Sequence, residues 1–523
     1  MINIYVVSMS RERKILFILL TLTFTLPLLM FNGSIDDFAP KHIIIINDLS
    51  ENSFLSTEHY NIQVPGYYIL GAILKQVVNL STKSLLFYPI QLIPYVIVFF
   101  TLIYKLSNNY IFSALITFIE FISGATGTTK IFLWVHGIGS ILFYISIILL
   151  LNAMKENQSK KPEVILLLII SGSSLVFISY NLFAMLLIFL ISVFVIFTIF
   201  NTFKFNLYIN NPSAVKSISK FLQNICLILI AVELGLSDFF YRSMVPTLKQ
   251  SQYFELSGIE KLLVYYFNRS SETALGDFIL SFPHILSIIS GIKYTILLCS
   301  IFIFFSAIRN KIIERKPINQ FDLVTGAFVL MTGIYGFVRL YIGGVIVTLL
   351  YIPGILCTAW LYRFSRTYRS WTLFVLILLL ILVPVYEFNL YSNKLTNIDK
   401  NNFGSINDSS SWYFRHTTDS IAVSDELTKN LFLLYFYENT HNFNNPDVYN
   451  SIQSLFPKDV LFLAQRSTPT ITSEKYYIIN YKLNANSLQN WIVIKSWNYS
   501  RIQLEENHLI NNIYETNSIS IFN

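Results

Sequence analysis

Asp36 and Asp37 stand side by side directly after the first long apolar run of the chain, and His42, Asp48, Glu51, Glu58 and His59 follow in the same polar stretch. Adjacent carboxylates at the edge of an apolar run can act as a general base toward a hydroxyl, or supply oxygen ligands to a divalent cation. The plain alternative is a solvated turn flanking a membrane. Five further ionisable residues fall inside or at the ends of apolar runs: Glu120, His136, Glu233, Lys293 and Arg339. Charge in such runs is expensive and marks a site. The competing reading is that these residues are interfacial, with Lys and Arg reaching the headgroups along their own stems. The elements that carry the residues decide between the two.

Of 523 residues, 54% are hydrophobic and 13% charged, against about 25% charged in an ordinary soluble domain. A soluble globular protein is excluded. Apolar runs of membrane-crossing length recur from the N-terminus to residue 390, so the chain reads as an α-helical polytopic membrane protein. Its net charge is +7, a balance that could point to nucleic acid. Residues 391–523, however, hold ten Lys and Arg against twelve Asp and Glu. The excess therefore lies in the membrane part, where short basic loops mark the cytoplasmic side. No nucleic-acid partner is implied, and the membrane is. Cys226, Cys299 and Cys357 all sit in apolar runs, so neither a disulfide framework nor a thiolate metal site is expected. No phosphate-binding glycine loop, nucleotide fingerprint or His/Cys ligand spacing is legible.

The expected spans are 14–31, 86–104, 109–123, 131–152, 163–180, 182–203, 220–236, 284–308, 321–338, 342–362 and 370–388. The first follows Arg11 and Arg13, but no small-residue cleavage site precedes Asn32-Gly33-Ser34, so it is read as a retained span. Segment 65–80 is short for a span. If it lies at the outer interface without crossing, every basic cluster faces the cytoplasm: Arg11/Arg13/Lys14, Lys105, Lys155/Lys160/Lys161, Lys204/Lys216/Lys220, Arg309/Lys311/Arg315/Lys316 and Arg363/Arg366/Arg369. If it crosses, most of them flip outward. This parity gives about eleven transmembrane helices with the N-terminus cytoplasmic, and it puts Glu120, His136, Glu233, Lys293 and Arg339 all in the outer part of their spans. The division is then a membrane domain over 1–390, with external loops 32–85 and 237–283, and an extracytoplasmic region over 391–523. That region opens with a polar stretch, 401–411, read as a linker. Short β-type runs (420–424, 476–481, 491–494, 518–522) and one helical period (425–437) follow it, the pattern of a small external α/β domain. The absence of an internal repeat argues against a secondary transporter.

The order of features resembles the GT-C superfamily of membrane glycosyltransferases, which use polyprenyl-phosphate-linked sugars. The likeness lies in the acidic pair Asp36-Asp37 after the first span and in the interfacial segment Pro65-Gly66-Tyr67-Tyr68-Ile69-Leu70-Gly71-Ala72-Ile73-Leu74. The Tyr88-Pro89 start of the second span and Arg339-Leu340-Tyr341 before Ile352-Pro353-Gly354 extend it. The nearest likeness is to uncharacterised archaeal members, including the tail Asn511-Asn512-Ile513-Tyr514-Glu515-Thr516-Asn517. Many members carry His-Pro-Pro at the interfacial helix where this chain has Gln63-Val64-Pro65-Gly66, and no Trp-Trp-Asp-type oligosaccharyltransferase signature stands in the tail.

The resemblance implies transfer of a sugar from a lipid-linked donor to a glycan, lipid or protein acceptor on the extracytoplasmic side, with inversion. Asp37 or Asp36 would take the acceptor proton, and Arg339, with Lys293 in reserve, would hold the donor phosphate. Glu120, His136, Glu233, Glu58 and His59 would line the cavity. A metal is not mandatory, since a carboxylate can serve as base unaided, and a divalent cation stays open. The alternatives are a non-catalytic envelope protein and a transporter or flippase of lipid-linked intermediates. The charge parity makes a direct prediction: in a Lys160→Cys variant, an impermeant thiol reagent added to intact cells leaves the introduced cysteine unlabelled, and labelling from outside would refute the topology.

Overall fold

Inside a bilayer every backbone amide has to be satisfied within its own segment, and a chain this apolar meets that demand as helices. The computed structural model describes residues 11–30, 39–52, 65–79, 89–122, 135–154, 162–203, 205, 207, 212–237, 284–342, 351–392, 402–416, 421–424, 426–440, 452–454, 475–480, 512–515 and 519–522. This described chain is mostly helical. A helix lies over each of the eleven intervals named above: α1 Arg11–Met30, α4 Leu92–Ser107, α5 Tyr110–Ile122, α6 Val135–Ala153, α7 Pro162–Ile178, α8 Tyr180–Thr202, α9 Pro212–Val232, α10 His284–Ile313, α11 Gln320–Ile342, α12 Tyr351–Phe364 and α13 Arg369–Ser392. Among the described residues, three stretches are long and apolar enough to cross a membrane: Tyr180–Thr202, Ala214–Gly235 and Gly291–Ile313.

Several boundaries differ from the sequence reading. Helix α9 starts at Pro212, ahead of 220, because its first turns bury Ile218, Phe221 and Leu222 on one side while Lys216 and Lys220 stay exposed on the other. Proline suits the first helical turn, where its missing N–H costs nothing. Helix α11 runs on past 338 to Ile342, and the next described helix, α12, begins at Tyr351. The stretch read from sequence as an external loop, 32–85, carries two helices among its described residues, α2 Ala39–Asn52 and α3 Pro65–Val78. At 14 residues, α3 is about 21 Å long, short of a hydrocarbon core of about 30 Å.

Close approach between helices depends on small residues, since lipid supplies no hydrophobic drive for association. A Cβ on Gly354 would lie 2.6 Å from Leu297 Cβ, and one on Gly139 would lie 2.7 Å from Ser179 Cβ. These contacts join α12 to α10 and α6 to the start of α8.

One end of the bundle gathers the basic residues. Lys105 Nζ donates to Asn152 Oδ1 at 2.9 Å, and the Arg363 guanidinium donates to the Lys105 carbonyl at 2.6 Å. The rings of Phe112 and Tyr362 stack at 4.2 Å, and Arg369 donates to the Tyr362 hydroxyl at 3.2 Å. Lys311 pairs with Asp322 at 3.0 Å, and Leu207 bridges Ile318. The ends of α4, α6, α10 and α12, the starts of α5, α11 and α13, and the residues just after α8 therefore lie together. Asp322 also caps its own helix reciprocally. Its Oδ2 accepts from the Asn319 amide at 2.8 Å, while Asn319 Oδ1 accepts from the amides of Phe321 and Asp322 at 2.9 Å. This is a capping box with Asn at the cap and Asp in place of Glu.

Beyond residue 391, helices α14 Asn402–His416 and α15 Glu426–Thr440 accompany strands β1 Ile421–Ser424, β2 Ile452–Ser454, β3 Lys475–Asn480, β4 Asn512–Glu515 and β5 Ile519–Phe522. The sheet order is β2-β1-β3-β5-β4. Strand β1 pairs in parallel with β2 and β3, and β5 pairs antiparallel with β3 and β4. The stretch read as a polar linker is helix α14. Its small serines allow this, because Ile406, Ser409, Ser410 and Tyr413, at helical spacing, are all buried, Ser410 and Tyr413 against Phe432 of α15. The expected β-run 491–494 lies outside the described residues.

Substituting Asp322 by Ala strips Lys311 of its partner and opens the cap of α11. The expected loss is about 3–5 kcal/mol of stability, measured as a lower unfolding midpoint in detergent, with a smaller loss in a Lys311→Met/Asp322→Leu double variant.

Candidate functional site

The far end of the bundle, opposite the basic cluster, is built from the start of α4, the end of α5 and the first turns of α6. Tyr95, one turn into α4, is 3% exposed, and its hydroxyl hydrogen-bonds with Tyr144 and Ser140 of α6. The two tyrosine rings meet edge to face at 5.9 Å, and Tyr95 meets Phe121 in the same way at 5.2 Å. Glu120, near the end of α5, is 1% exposed and acts electrostatically on both tyrosines. A carboxyl group and a hydroxyl pair thus share one dry junction between α4, α5 and α6. Such a cluster can hold and pass a proton or bind a polar group that enters the apolar layer.

Lys293 belongs to a second junction, between α10 and α12. It is 5% exposed, and Nζ lies 4.9 Å from the centroid of Tyr294 and 5.5 Å from that of Tyr351. A desolvated ammonium over an aromatic face gains about 2 kcal/mol, and its three donors favour an anion. Gly354 sets this geometry. It sits three residues after Tyr351, and its partner Leu297 sits four residues after Lys293, so the closest backbone approach lies one turn from the ammonium. Helix α12 also packs against α4.

The loop helices form the third part. The His42 Nδ1 atom is hydrogen-bonded to the Tyr68 hydroxyl at 2.8 Å, with the Tyr67 ring edge-on at 5.4 Å. Farther along, Ile46 fills the space over Gly71, Gln76 Nε2 donates to the Ser50 carbonyl at 2.9 Å, and Lys75 pairs with Glu51 at 3.5 Å. The separation along the chain stays nearly constant, 26 residues at both hydrogen bonds. The two helices therefore run parallel, with both starts at one end. At that end Gly66 presses on Phe177 in the last turn of α7, so the pair sits at the far end of the bundle. Helix α2 begins two residues after Asp37.

Of the candidates named from sequence, Glu120 and Lys293 are buried in these two junctions. Glu233 is half-buried and opens a π-helical turn, Glu233–Ser237, that ends α9 and packs on α7. His136 lies in the first turn of α6 and Arg339 in the last turn of α11, and their side chains are outside the described set. Asp36, Asp37, Glu58 and His59 lie outside the described residues altogether. Among the described residues no three His, Cys, Asp or Glu side chains group together. Sequence reasoning passed over Tyr95, Tyr144 and Tyr351, because a tyrosine within an apolar run reads as one more hydrophobic residue. The available signal was that a buried phenol needs a partner for its hydroxyl.

No family model matches the sequence, and no curated protein matches it either.

The hydroxyl pair predicts non-additive behaviour. Tyr95→Phe or Tyr144→Phe alone leaves a buried hydroxyl without its partner, at about 1–3 kcal/mol, whereas the double Phe variant loses less than the sum of the two. A double-mutant cycle of unfolding midpoints reads the coupling.

Proposed function

We propose that this chain is a glycosyltransferase that moves a sugar from a polyprenyl-phosphate-linked donor to a glycan, lipid or protein acceptor on the extracytoplasmic side of the membrane. In this reading the chain crosses the membrane about eleven times. The basic end is cytoplasmic, the far end faces outward, and 391–523 forms an external α/β domain. One observation carries the assignment: the buried ammonium of Lys293 between Tyr294 and Tyr351, on the side of the bundle away from the basic cluster. A buried cation beside two aromatic rings suits the phosphate of a lipid carrier, whose isoprenoid tail stays in the bilayer. The resemblance of the acidic pair and the Pro65–Leu74 segment to GT-C enzymes supports the same reading.

The chemistry divides among named groups. Lys293, with Arg339, neutralises charge that develops on the leaving phosphate as the sugar–oxygen bond breaks. Asp37, with Asp36 beside it, takes the proton of the acceptor hydroxyl as it attacks the anomeric carbon from the opposite face, which inverts the configuration. Glu120, with Tyr95 and Tyr144, lines the dry side of the same region, and His136, Glu233, Glu58 and His59 are its further polar lining. No step requires a metal, although the acidic pair could hold a divalent cation.

Turnover and donor binding separate these roles. Asp37→Asn leaves binding of a polyprenyl-phosphate-linked sugar intact and lowers turnover by about 10²- to 10⁴-fold, with Asp36→Asn next in severity. Lys293→Gln and Arg339→Ala weaken donor binding itself. Undiminished turnover in an Asp36→Asn/Asp37→Asn double variant excludes the base assignment. Absence of transfer by the wild type from any lipid-linked sugar favours a non-catalytic envelope protein, or a transporter or flippase.

A further inference from the structure

Residues 309–322 and 363–369 hold seven cations, Arg309, Lys311, Arg315, Lys316, Arg363, Arg366 and Arg369, against two acids, Glu314 and Asp322. Packing draws the two stretches to one corner of the basic end. The rings of Phe321 and Phe364 meet at 5.5 Å, Lys311 Nζ lies 5.2 Å from the Phe364 centroid, and the Arg363 guanidinium lies 4.5 Å from that of Phe321. The cations of this corner are of two kinds. Lys311 is taken up by Asp322, Lys316 by Glu314 and Arg363 by the Lys105 carbonyl. Arg309 and Arg366 are exposed, and their guanidinium groups meet no partner among the described residues. Arg369 is exposed as well, and it spends one N–H on the Tyr362 hydroxyl of the five that a guanidinium carries.

Two helices reach this corner along exposed apolar stripes. On α10, Leu298, Phe302 and Phe305 are exposed, and Arg309 continues the series at helical spacing. On α13, Ile381, Ile377 and Leu373 are exposed at four-residue steps, and Arg369 is the next member. Helices α10 and α13 pack on each other, with Trp371 Nε1 donating to Ser300 Oγ at 3.3 Å. In a chain of this hydropathy such stripes face acyl chains, and an arginine at the end of a stripe stands where chains give way to headgroups. A ligand for the corner has to join a negative group to apolar chains. A soluble anion leaves the stripes bare, and a zwitterionic lipid leaves the excess positive charge uncompensated.

We propose that the corner where α10 ends and α13 begins binds an anionic phospholipid of the adjoining leaflet, with the phosphate on Arg309, Arg366 and Arg369 and the chains beside Phe302, Phe305, Leu373 and Ile377. In the topology given above this leaflet is the cytoplasmic one, away from sugar transfer. The site depends on residence in a membrane and not on the transferase reading.

Full-length protein in detergent is titrated with phosphatidylglycerol, or with phosphatidylcholine carrying the same chains, and native mass spectrometry counts the bound lipid. The wild type binds the anionic lipid roughly tenfold or more tightly than the zwitterionic one. Arg309→Gln/Arg366→Gln/Arg369→Gln lowers affinity for phosphatidylglycerol roughly tenfold or more, with phosphatidylcholine binding and the unfolding midpoint near wild type. Arg309→Gln/Arg366→Gln leaves every contact described above in place and gives a smaller loss of the same kind, should the triple variant be unsettled by losing the Tyr362 bond. Lys216→Gln/Lys220→Gln, which removes two exposed cations of α9, keeps wild-type affinity. Equal wild-type affinity for the two lipids overturns the proposal. So does an equal loss in the α9 variant, which marks a general attraction to basic residues. Displacement of phosphatidylglycerol by inorganic phosphate at the same concentration overturns the lipid assignment in favour of a soluble anion.

Discussion

Asp322 ties the basic end of the bundle together. Its carboxylate is 1% exposed, and a charge so placed persists only if its oxygens are fully occupied. They are shared among the Lys311 ammonium, the Trp360 indole N–H at 2.8 Å and the Asn319 amide. One side chain thereby pairs the charge that ends α10, closes the cap that starts α11 and fixes the ring near the end of α12. The Lys311 ammonium also lies 4.9 Å above the Trp360 ring. A buried ion pair contributes little net stability over an apolar replacement, but breaking it leaves a charge stranded. Its effect here is to specify which three helices meet and at what height.

The two ends of the bundle use their polar residues differently. At the basic end the cations are spent on carbonyls, a carboxylate and ring faces: Arg363 on the Lys105 carbonyl and the Phe321 ring, Arg369 on Tyr362. Such pairing closes a surface. At the far end, Glu120 and Lys293 are buried among tyrosine rings, on α5 and α10 respectively.

The far end is roofed by a layer that hydropathy does not register. Helices α2 and α3 lie parallel, seated on α7 through Gly66 and on each other through Gly71. Helix α15, from near the other terminus, also packs on α2. Helix α3 thus has α7 on one side and α2, with α15 packed on it, on another, and its glycines are there because backbone has to approach side chain within van der Waals contact.

Hydrophobic run length was enough to mark where helices lie, and the placement of Lys and Arg marked the ends of α4, α10 and α12 that lie together, because both follow from the cost of moving charge and bare backbone out of water. That cost is local, so it is written residue by residue. Helix α2 escaped notice because Ile43–Ile46 is an unbroken apolar run too short for a span, with no helical period, as befits a helix buried all round. Helix α14 escaped because Ser409 and Ser410 are polar by type yet small enough to pack. Tyr95, Tyr144 and Tyr351 were hidden inside apolar runs. Which polar groups meet was settled only by tertiary structure. The Arg363 bond to the Lys105 carbonyl joins residues 258 apart in the chain, and no local pattern encodes a partner at that distance; it exists because the packing of α4 against α12 brings a donor and a carbonyl within reach of each other.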